Sequence, residues 1–192
     1  MKVSVFIATS LDGFIARPDG ALDWLPGSGN ESDANSSDVP EVDSAAEVED
    51  HGWGAFWGSV DGLVMGRNTF EKVLEISPGM WPYEGTRVIV LSNTLTAVPE
   101  ELEGKAELHA GDPQALLEKL EKEGHERLYI DGGVVIQTFL RQGLITDMAI
   151  TTIPVLIGEG IPLFGPLEED ILLKHVETKV YATGFVQSTY TI

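Results

Sequence analysis

The stretch Gly62-Leu63-Val64-Met65-Gly66-Arg67-Asn68-Thr69-Phe70 decides the fold of this chain. It joins an apolar run of strand length, through a glycine turn, to a helix that begins near Asn68. The same change from strand to helix recurs at Leu128-Tyr129-Ile130-Asp131-Gly132-Gly133, and that helix runs to Arg141 and stops at Gly143. Strands that alternate with helices predict an α/β fold with a largely parallel central sheet.

The remaining elements extend this pattern in both directions. Residues 3–8 form a continuous apolar run, which is typical of a strand buried on both faces, and residues 87–91 form another. The clearest helix spans residues 112–123, with Asp112 as its cap, Pro113 in its first turn and Gly124 as its stop. Strands at 148–153 and 185–190 follow with no helix between them, so we expect an antiparallel edge at the C-terminal end.

The length of 192 residues predicts a single domain. Residues 27–43 are rich in Ser, Asn, Gly and Asp, and we expect them to form a mobile acidic insertion. A helix is predicted at residues 45–57, where Trp53, Phe56 and Trp57 fall on one apolar face, although two glycines weaken it.

Charge is the most unusual property of the composition. There are 31 Asp and Glu against 12 Lys and Arg, and the formal net charge is −19. Such a surface repels nucleic acid and anionic lipid, so neither is an expected partner. High solubility explains the charge, and a high-salt habitat is a sharper alternative.

Other composition features exclude several classes of site. The chain has no cysteine and four scattered histidines, so we expect no disulfide and no metal site. No apolar run is long enough to cross a membrane, and the first residues look like a strand rather than a signal peptide. The default expectation is a cytoplasmic protein.

Candidate chemistry lies where the strands end, because ligands of parallel sheets bind outside the carboxyl ends of the strands. Two of these ends, at Gly66 and at Gly132-Gly133, are small-residue turns that open a helix, where free N–H groups attract phosphate. Arg67 adds a planar cation and Thr69 adds a hydroxyl. The residues alone therefore indicate a phosphate site split over two loops, although a glycine pair can also be only a tight turn, and an arginine only solvated. Neither turn matches a Rossmann or a P-loop motif.

Four segments together resemble a known family. Residues 64–71 are similar to the dihydrofolate-reductase signature. Residues 10–16, Asp131-Gly132-Gly133, and residues 144–147 followed by 153–164 resemble the reductase domain of the riboflavin-biosynthesis deaminase–reductase and its stand-alone relatives. The resemblance covers nearly the whole chain except the acidic insertion. It implies a three-layer α/β/α fold like that of dihydrofolate reductase.

The resemblance also implies a cofactor, NADPH, and the positions that hold it. The 2′-phosphate would lie at Arg67 and Ser92, the pyrophosphate at Thr69 and the start of the helix at Gly132-Gly133, and the nicotinamide under the loop of residues 10–24. In the family a non-proline cis peptide occurs at the glycine pair, where Asp131 here replaces a glycine. The full set of cofactor-binding candidates is Ala8, Ile15, Gly66, Arg67, Thr69, Leu91, Ser92, Asn93, Asp131, Gly132 and Gly133.

The reaction implied is hydride transfer to a small C=N or C=O substrate, as in 5-amino-6-(5-phosphoribosylamino)uracil reductase. Counting back from Met65-Gly66 places Asp50 at the position of the catalytic carboxylate of dihydrofolate reductases, and Trp24, Trp53 and Phe56 are candidate substrate contacts. A carboxylate near a helix start is also common for electrostatic reasons alone. The alternatives are a true dihydrofolate reductase and a nucleotide-binding homologue without catalysis.

The resemblance further implies a homodimer, because relatives commonly pair. Residues 148–157 are apolar enough to continue into a partner, or to be a central strand within one subunit.

Overall fold

The computed structural model of the protein describes residues 1–26 and 50–192. The predicted insertion at residues 27–43 and the first part of the predicted helix at residues 45–57 therefore lie outside the described residues.

The centre of the described structure is an eight-stranded sheet. Six of its strands are parallel, and their order across the sheet is β5 (Ala106–His109), β4 (Arg87–Leu91), β3 (Gly62–Gly66), β6 (Arg127–Asp131), β1 (Lys2–Ser10) and β7 (Asp147–Ile153). Two antiparallel strands complete it beside β7, first β10 (Val186–Thr191) and then β9 (Lys174–Val180) at the edge. The mostly parallel sheet with an antiparallel C-terminal edge is thus confirmed.

Helices cover both faces of this sheet and make three layers. One face carries α3 (Pro113–Lys122) and α4 (Gly133–Arg141), which pack with Val5, Val64 and Ile130. The other face carries α1 (Trp53–Trp57) and α2 (Arg67–Ile76), and Phe56 and Phe70 anchor them. No helix in the described ranges is long and apolar enough to cross a bilayer.

The helix ends follow local sequence signals with one exception. Gly124 and Gly143 have φ values of 96° and 66°, which is the left-handed conformation expected where α3 and α4 stop. Asp112 is the N-cap of α3, but its side chain makes no capping hydrogen bond, so the predicted side-chain cap is wrong.

The described part of the helix predicted at residues 45–57 is shorter than expected. His51 and Gly52 both have positive φ, at 52° and 83°, so the backbone is left-handed there and cannot be helical. The helix α1 consequently begins only at Trp53.

The apolar segment at residues 148–157 is an interior strand rather than an edge. Most of it is β7, which pairs with β1 on one side and with β10 on the other. The exposed edge is instead β9, which the sequence did not predict, and the short strands β5, β2 (Phe14–Ala16) and β8 (Ile161–Pro162) were also missed. The last two pair with each other apart from the main sheet.

Candidate active site

The two glycine turns meet at the carboxyl edge of the sheet. Met65 of β3 is the register partner of Asp131 of β6, and neighbouring strands lie about 4.8 Å apart. Gly66 and Gly132 therefore open α2 and α4 side by side, on opposite faces of the same edge. This brings together the two halves of the predicted phosphate site.

Both helix starts are open to an anion. Neither α2 nor α4 has a side-chain cap, and neither has an acidic residue in its first turn. Among the described residues, no carboxylate caps the N–H groups of either first turn. Free N–H groups and the positive helix end together favour a phosphate.

The glycine pair is required by close packing as well as by conformation. Gly132 has a φ of 92°, and a Cβ there would collide with the Thr69 hydroxyl oxygen. A Cβ on Gly133 would lie 2.9 Å from the Cδ1 of Ile15. The described residues contain no cis peptide bond, and Gly132, with its positive φ, makes the turn.

Arg67 and Ser92 follow a register pair on neighbouring strands, Gly66 and Leu91. The Arg67 guanidinium is 47% exposed, and its nearest carboxylate, that of Glu71, is 3.9 Å away. The Arg67 guanidinium is therefore only weakly paired and is available to bind an anion. The Ser92 hydroxyl oxygen accepts N–H bonds from Thr94 and Leu95, and Asn93 is exposed.

The loop after β1 is tied to the segment after β7 by one carboxylate. Asp12 accepts the N–H groups of Ile157 and Gly158 at 3.1 Å and 2.7 Å. The Ser10 hydroxyl, and then these amides, hold the pKa of Asp12 below its usual value. Asp12 therefore joins two segments that resemble the family, the loop after β1 and the segment after β7. The joined loop holds Ile15 against the start of α4. Ala8, half-buried, lies on β1 just before this loop.

Asp131 is a half-buried carboxyl group at the end of β6. Its side chain alternates with Ile130, so it shares the face of Tyr129, beneath α1 and α2. Burial raises the pKa of Asp131, although the Gly132 N–H at 2.8 Å and the Tyr129 hydroxyl oppose the rise. Burial thus shifts the equilibrium of this carboxyl towards its protonated form.

Tyr83 is the residue of this site that the sequence did not reveal. It lies in the loop between α2 and β4, and burial, followed by the charge of Asp131, raises the pKa of its phenol. Its ring contacts Trp57 with centroids 5.6 Å apart. No local motif marks it, because only the tertiary fold brings the loop under α1.

Asp50 lies in a different environment from Asp131. It is exposed, and its carboxylate accepts the N–H groups of Gly52 at 2.8 Å and Gly54 at 3.0 Å. These amides, Gly52 first, lower the pKa of Asp50. The contacts are those of a cap for α1, and a catalytic role for Asp50 stays a prediction.

The fold brings two of the three predicted substrate aromatics, Trp53 and Phe56, together with ring centroids 5.9 Å apart, and leaves Trp24 without a ring contact in the described part of the chain. Trp53 is 37% exposed and contacts Phe6 and Tyr129 at centroid distances of 5.5 Å and 5.8 Å. Phe56 is buried beneath it, with the Arg127 guanidinium 5.0 Å from its ring. Trp24 makes no ring contact with the described aromatic side chains, and its indole N–H has no partner among the described residues.

The fold is of the dihydrofolate-reductase-like class. Dihydrofolate reductase from Enterococcus faecalis, solved with NADP(H), matches with a TM-score of 0.63 over 99% of this chain and 95% of that one, at 18% identity. A diaminohydroxyphosphoribosylaminopyrimidine deaminase/5-amino-6-(5-phosphoribosylamino)uracil reductase from Thermotoga maritima matches at 0.67 over 99% of this chain and 56% of that one, at 14% identity. At these identities the likeness is one of fold.

The chain belongs to the RibD C-terminal domain family, whose sequence profile matches residues 1–187. A solved protein of Shewanella sp. PV-4, whose provisional name places it in riboflavin biosynthesis, is 43% identical, with a TM-score of 0.83 and coverage of 100% and 98% of the two chains. The uncharacterized protein YwjB of Bacillus subtilis (strain 168) is 30% identical over 181 residues, which are 94% of this chain and 92% of that one.

Proposed function

We propose that this chain is an NADPH-dependent reductase that transfers a hydride to a C=N or C=O carbon of a small substrate. Membership of the RibD C-terminal domain family and the fold shared with two reductases support the reductase class. The observation that carries the proposal is the register pair of Met65 and Asp131, which places two uncapped helix starts and one half-buried carboxyl at the same edge.

The residues at this edge fit a dinucleotide with an extra phosphate. The open first turns of α2 and α4 would hold the pyrophosphate. Gly132 has no side chain, so the pyrophosphate can approach the backbone there. A side chain at this position would also collide with Thr69. The loosely held Arg67 and the neighbouring Ser92 would hold the 2′-phosphate. NADPH, when bound, supplies the hydride from C4 of its nicotinamide.

The protein positions the reactants, excludes water from the site and supplies a proton. Ile15 and Ala8 would line the nicotinamide pocket, and the anchored loop after β1 would keep water out of it. A C=N or C=O group that accepts a hydride gains an electron pair on its heteroatom and needs a proton there. A carboxyl oxygen of Asp131 can donate that proton, because burial favours its neutral form.

The preference for NADPH over NADH tests the cofactor part of this proposal. Arg67→Ala should raise the Kd for NADPH about ten- to hundredfold, the equivalent of about 1.5–3 kcal/mol, because a charge-assisted contact to the 2′-phosphate is lost. The Kd for NADH should barely change. Titration calorimetry of both cofactors into both proteins measures this difference.

Arg141→Ala is the matched control, since Arg141 lies at the other end of α4, away from the carboxyl edge. It should leave both dissociation constants unchanged. Equal losses of NADPH and NADH affinity in Arg67→Ala would refute the assignment of Arg67 to the 2′-phosphate.

A further inference from the structure

Five aromatic side chains form a continuous wall between α1 and the sheet: Phe6, Trp53, Trp57, Tyr83 and Tyr129. Neighbouring ring centroids along this aromatic wall are 5.4 to 5.8 Å apart, from Phe6 to Trp53, from Trp53 to Trp57 and to Tyr129, and from Trp57 to Tyr83. Four of the five keep part of their surface exposed, and only Tyr129 is buried. A flat molecule can therefore lie against rings that the described residues leave partly uncovered.

The aromatic wall adjoins the proton donor. Tyr129 and Asp131 lie two residues apart on β6 and share a face, and the Tyr129 hydroxyl donates to the Phe6 carbonyl at 3.0 Å. On the neighbouring strand β1, Phe6 and Ala8 share that face, and Ala8 leads into the loop that holds Ile15. A ring against the wall would thus lie between the Asp131 carboxyl and the predicted nicotinamide pocket.

The basic residues on the face of α1 and α2 are engaged or lie elsewhere. Arg127 lies at the amino end of β6, where it is bound to Asp147 at 2.9 Å. Lys105 is paired with Glu84, and Lys72 is paired with Glu75 on α2. Arg67 lies at the cofactor edge. None of the described basic side chains is thus a free partner for a substrate phosphate at the aromatic wall.

The rest of the chain cannot supply such a partner. Residues 27–49 contain seven Asp and Glu and no Lys, Arg or His, so all 12 Lys and Arg of the chain are among the described residues. A phosphate dianion brought to the wall would lose hydration without gaining a cation, in a chain of net charge −19. The site therefore disfavours a phosphorylated substrate.

We infer that the substrate is an uncharged, planar heterocycle or aryl carbonyl without a phosphate, which stacks on the aromatic wall and takes its proton from Asp131. This inference rests on the proposed reductase function. The substrate carbon gains a C–H bond through the hydride of the reduced nicotinamide, and its heteroatom takes the electron pair of the former double bond. The proton passes from the Asp131 carboxyl to that heteroatom, and water later restores it to the carboxylate. The products are the reduced substrate and NADP⁺.

This substrate class differs from that of the Thermotoga maritima protein, whose name specifies a phosphoribosylamino substrate. It also differs from dihydrofolate, which carries two carboxylates on its tail. The same ring systems without these charged groups fit the wall. In this inference the protein shares the reductase site of its family and differs from these two relatives in its substrate specificity.

Two matched pairs of probes test the inference by binding to the whole chain. The first pair is 5-amino-6-(5-phosphoribosylamino)uracil and its dephosphorylated nucleoside, and the second is 7,8-dihydrofolate and 6-methyl-7,8-dihydropterin. Calorimetric titrations with and without NADP⁺ should give the neutral member of at least one pair an affinity about tenfold higher or more. A higher affinity for the charged member of both pairs, or binding of no probe at millimolar concentration, would overturn the inference.

A cation introduced into the aromatic wall by substitution tests the inference independently. Tyr83→Arg should reverse the preference within the first pair, because the guanidinium would meet the phosphate. Tyr83→Phe, which keeps the ring, should retain the preference of the unmutated protein. Failure of NADP⁺ and NADPH to bind would refute the proposed function, whereas a preference for charged probes with intact NADPH binding would refute only the substrate class.

Discussion

Two carboxyl groups, those of Asp131 and Asp50, lie in opposite electrostatic environments. Burial keeps the pKa of Asp131 above its usual value, whereas N–H bonds from Gly52 and Gly54 keep that of exposed Asp50 below it. A proton donor at neutral pH needs the first environment, and a helix cap needs the second. The geometry therefore favours Asp131 as the acid and Asp50 as the residue that fixes the start of α1.

Asp131→Asn should lower kcat by about a hundredfold or more, since general acid catalysis typically contributes 10²–10⁴-fold. In the unmutated protein kcat/KM should be highest below the raised pKa of Asp131 and should fall as the pH rises through it, because the donor is lost. Asp50→Asn is the matched control and should keep most of the activity. Robust reduction of dihydrofolate that Asp50→Asn abolishes would reverse these roles.

The same two groups contribute to stability with opposite dependence on pH. The raised pKa of Asp131 adds stability at low pH, and this contribution is lost as the pH rises through the folded-state value. The lowered pKa of Asp50 adds stability that is present above the unfolded value and is lost as the pH falls through the folded-state value.

Gly132 supports a second prediction at the residue scale. Gly132→Ala should destabilise the fold and weaken NADPH binding, because it combines a φ of 92° with a collision against Thr69. Gly104→Ala is the control, since Gly104 has a φ of 79° with nothing within 4 Å of a new Cβ. The control should cost only the backbone strain, about 1–2 kcal/mol. Equal losses of stability and unchanged cofactor binding in both variants would show that the packing at Gly132 is unimportant.

Individual residues differ in how far the sequence reveals them. Gly66, Arg67 and Gly132 could be predicted because a glycine turn between a strand and a helix is a local signal. Tyr83 could not, since its place in the aromatic wall depends on the contact of its ring with Trp57 of another element. Phe56 lay on the predicted apolar face, but only the structure shows that it is buried in the core rather than exposed.

At the scale of elements, the C-terminal edge of the sheet is the part left uncovered. All seven residues of β9 are exposed, and they include Val176 and Val180 at 54% and 74%. Leu172, just before the strand, is 88% exposed. Long exposed edges with apolar side chains favour pairing with another chain. This strand takes the place of residues 148–157 as the expected dimer contact.

We expect the protein to sediment as a dimer at micromolar concentration through this edge. Val176→Lys should shift it towards the single-chain mass, because two-fold symmetry places the new charge in the interface twice. Met80→Lys is the control, because Met80 is 69% exposed but lies in the loop after α2, away from β9. A clean single-chain mass for the unmutated protein would contradict the dimer.

The sequence predicts a helix or strand correctly where its local pattern agrees with its place in the tertiary structure. The strands β3 and β6 are apolar runs buried on both faces, so composition alone marks them. In β9 only Val176 and Val180 are apolar and no face is buried, so no local pattern marks the strand, which pairs with β10. The start of α1 was misplaced because the aromatic spacing says nothing of the left-handed backbone at His51 and Gly52.

At the scale of the whole molecule, the net charge of −19 acts on every part of the fold. Like charges on a compact chain repel one another, and salt screens this repulsion. Several ion pairs, including Arg17 with Asp23, are exposed and add little. The screened repulsion should therefore dominate the response of stability to salt.

The Tm should accordingly rise with NaCl at neutral pH. Screening that restores about 1 kcal/mol would raise it by roughly 2–4 °C for a chain of this length. Near pH 4.3, the sequence pI, the net charge vanishes and the rise should disappear. A Tm that falls with NaCl at neutral pH would show that attractive ion pairs outweigh the net repulsion.

We propose that the carboxyl edge of the sheet supports direct hydride transfer from NADPH. The most direct measurement uses NADPH deuterated at the transferable C4 position, with dihydrofolate, the aminopyrimidine nucleoside and simple aldehydes as acceptors. Mass spectrometry of the product should show one deuterium on the former C=N or C=O carbon of at least one acceptor, and turnover should fall strongly in Asp131→Asn. If no acceptor leads to consumption of NADPH, or if the reduced product carries no deuterium at that carbon, direct hydride transfer at this edge is contradicted.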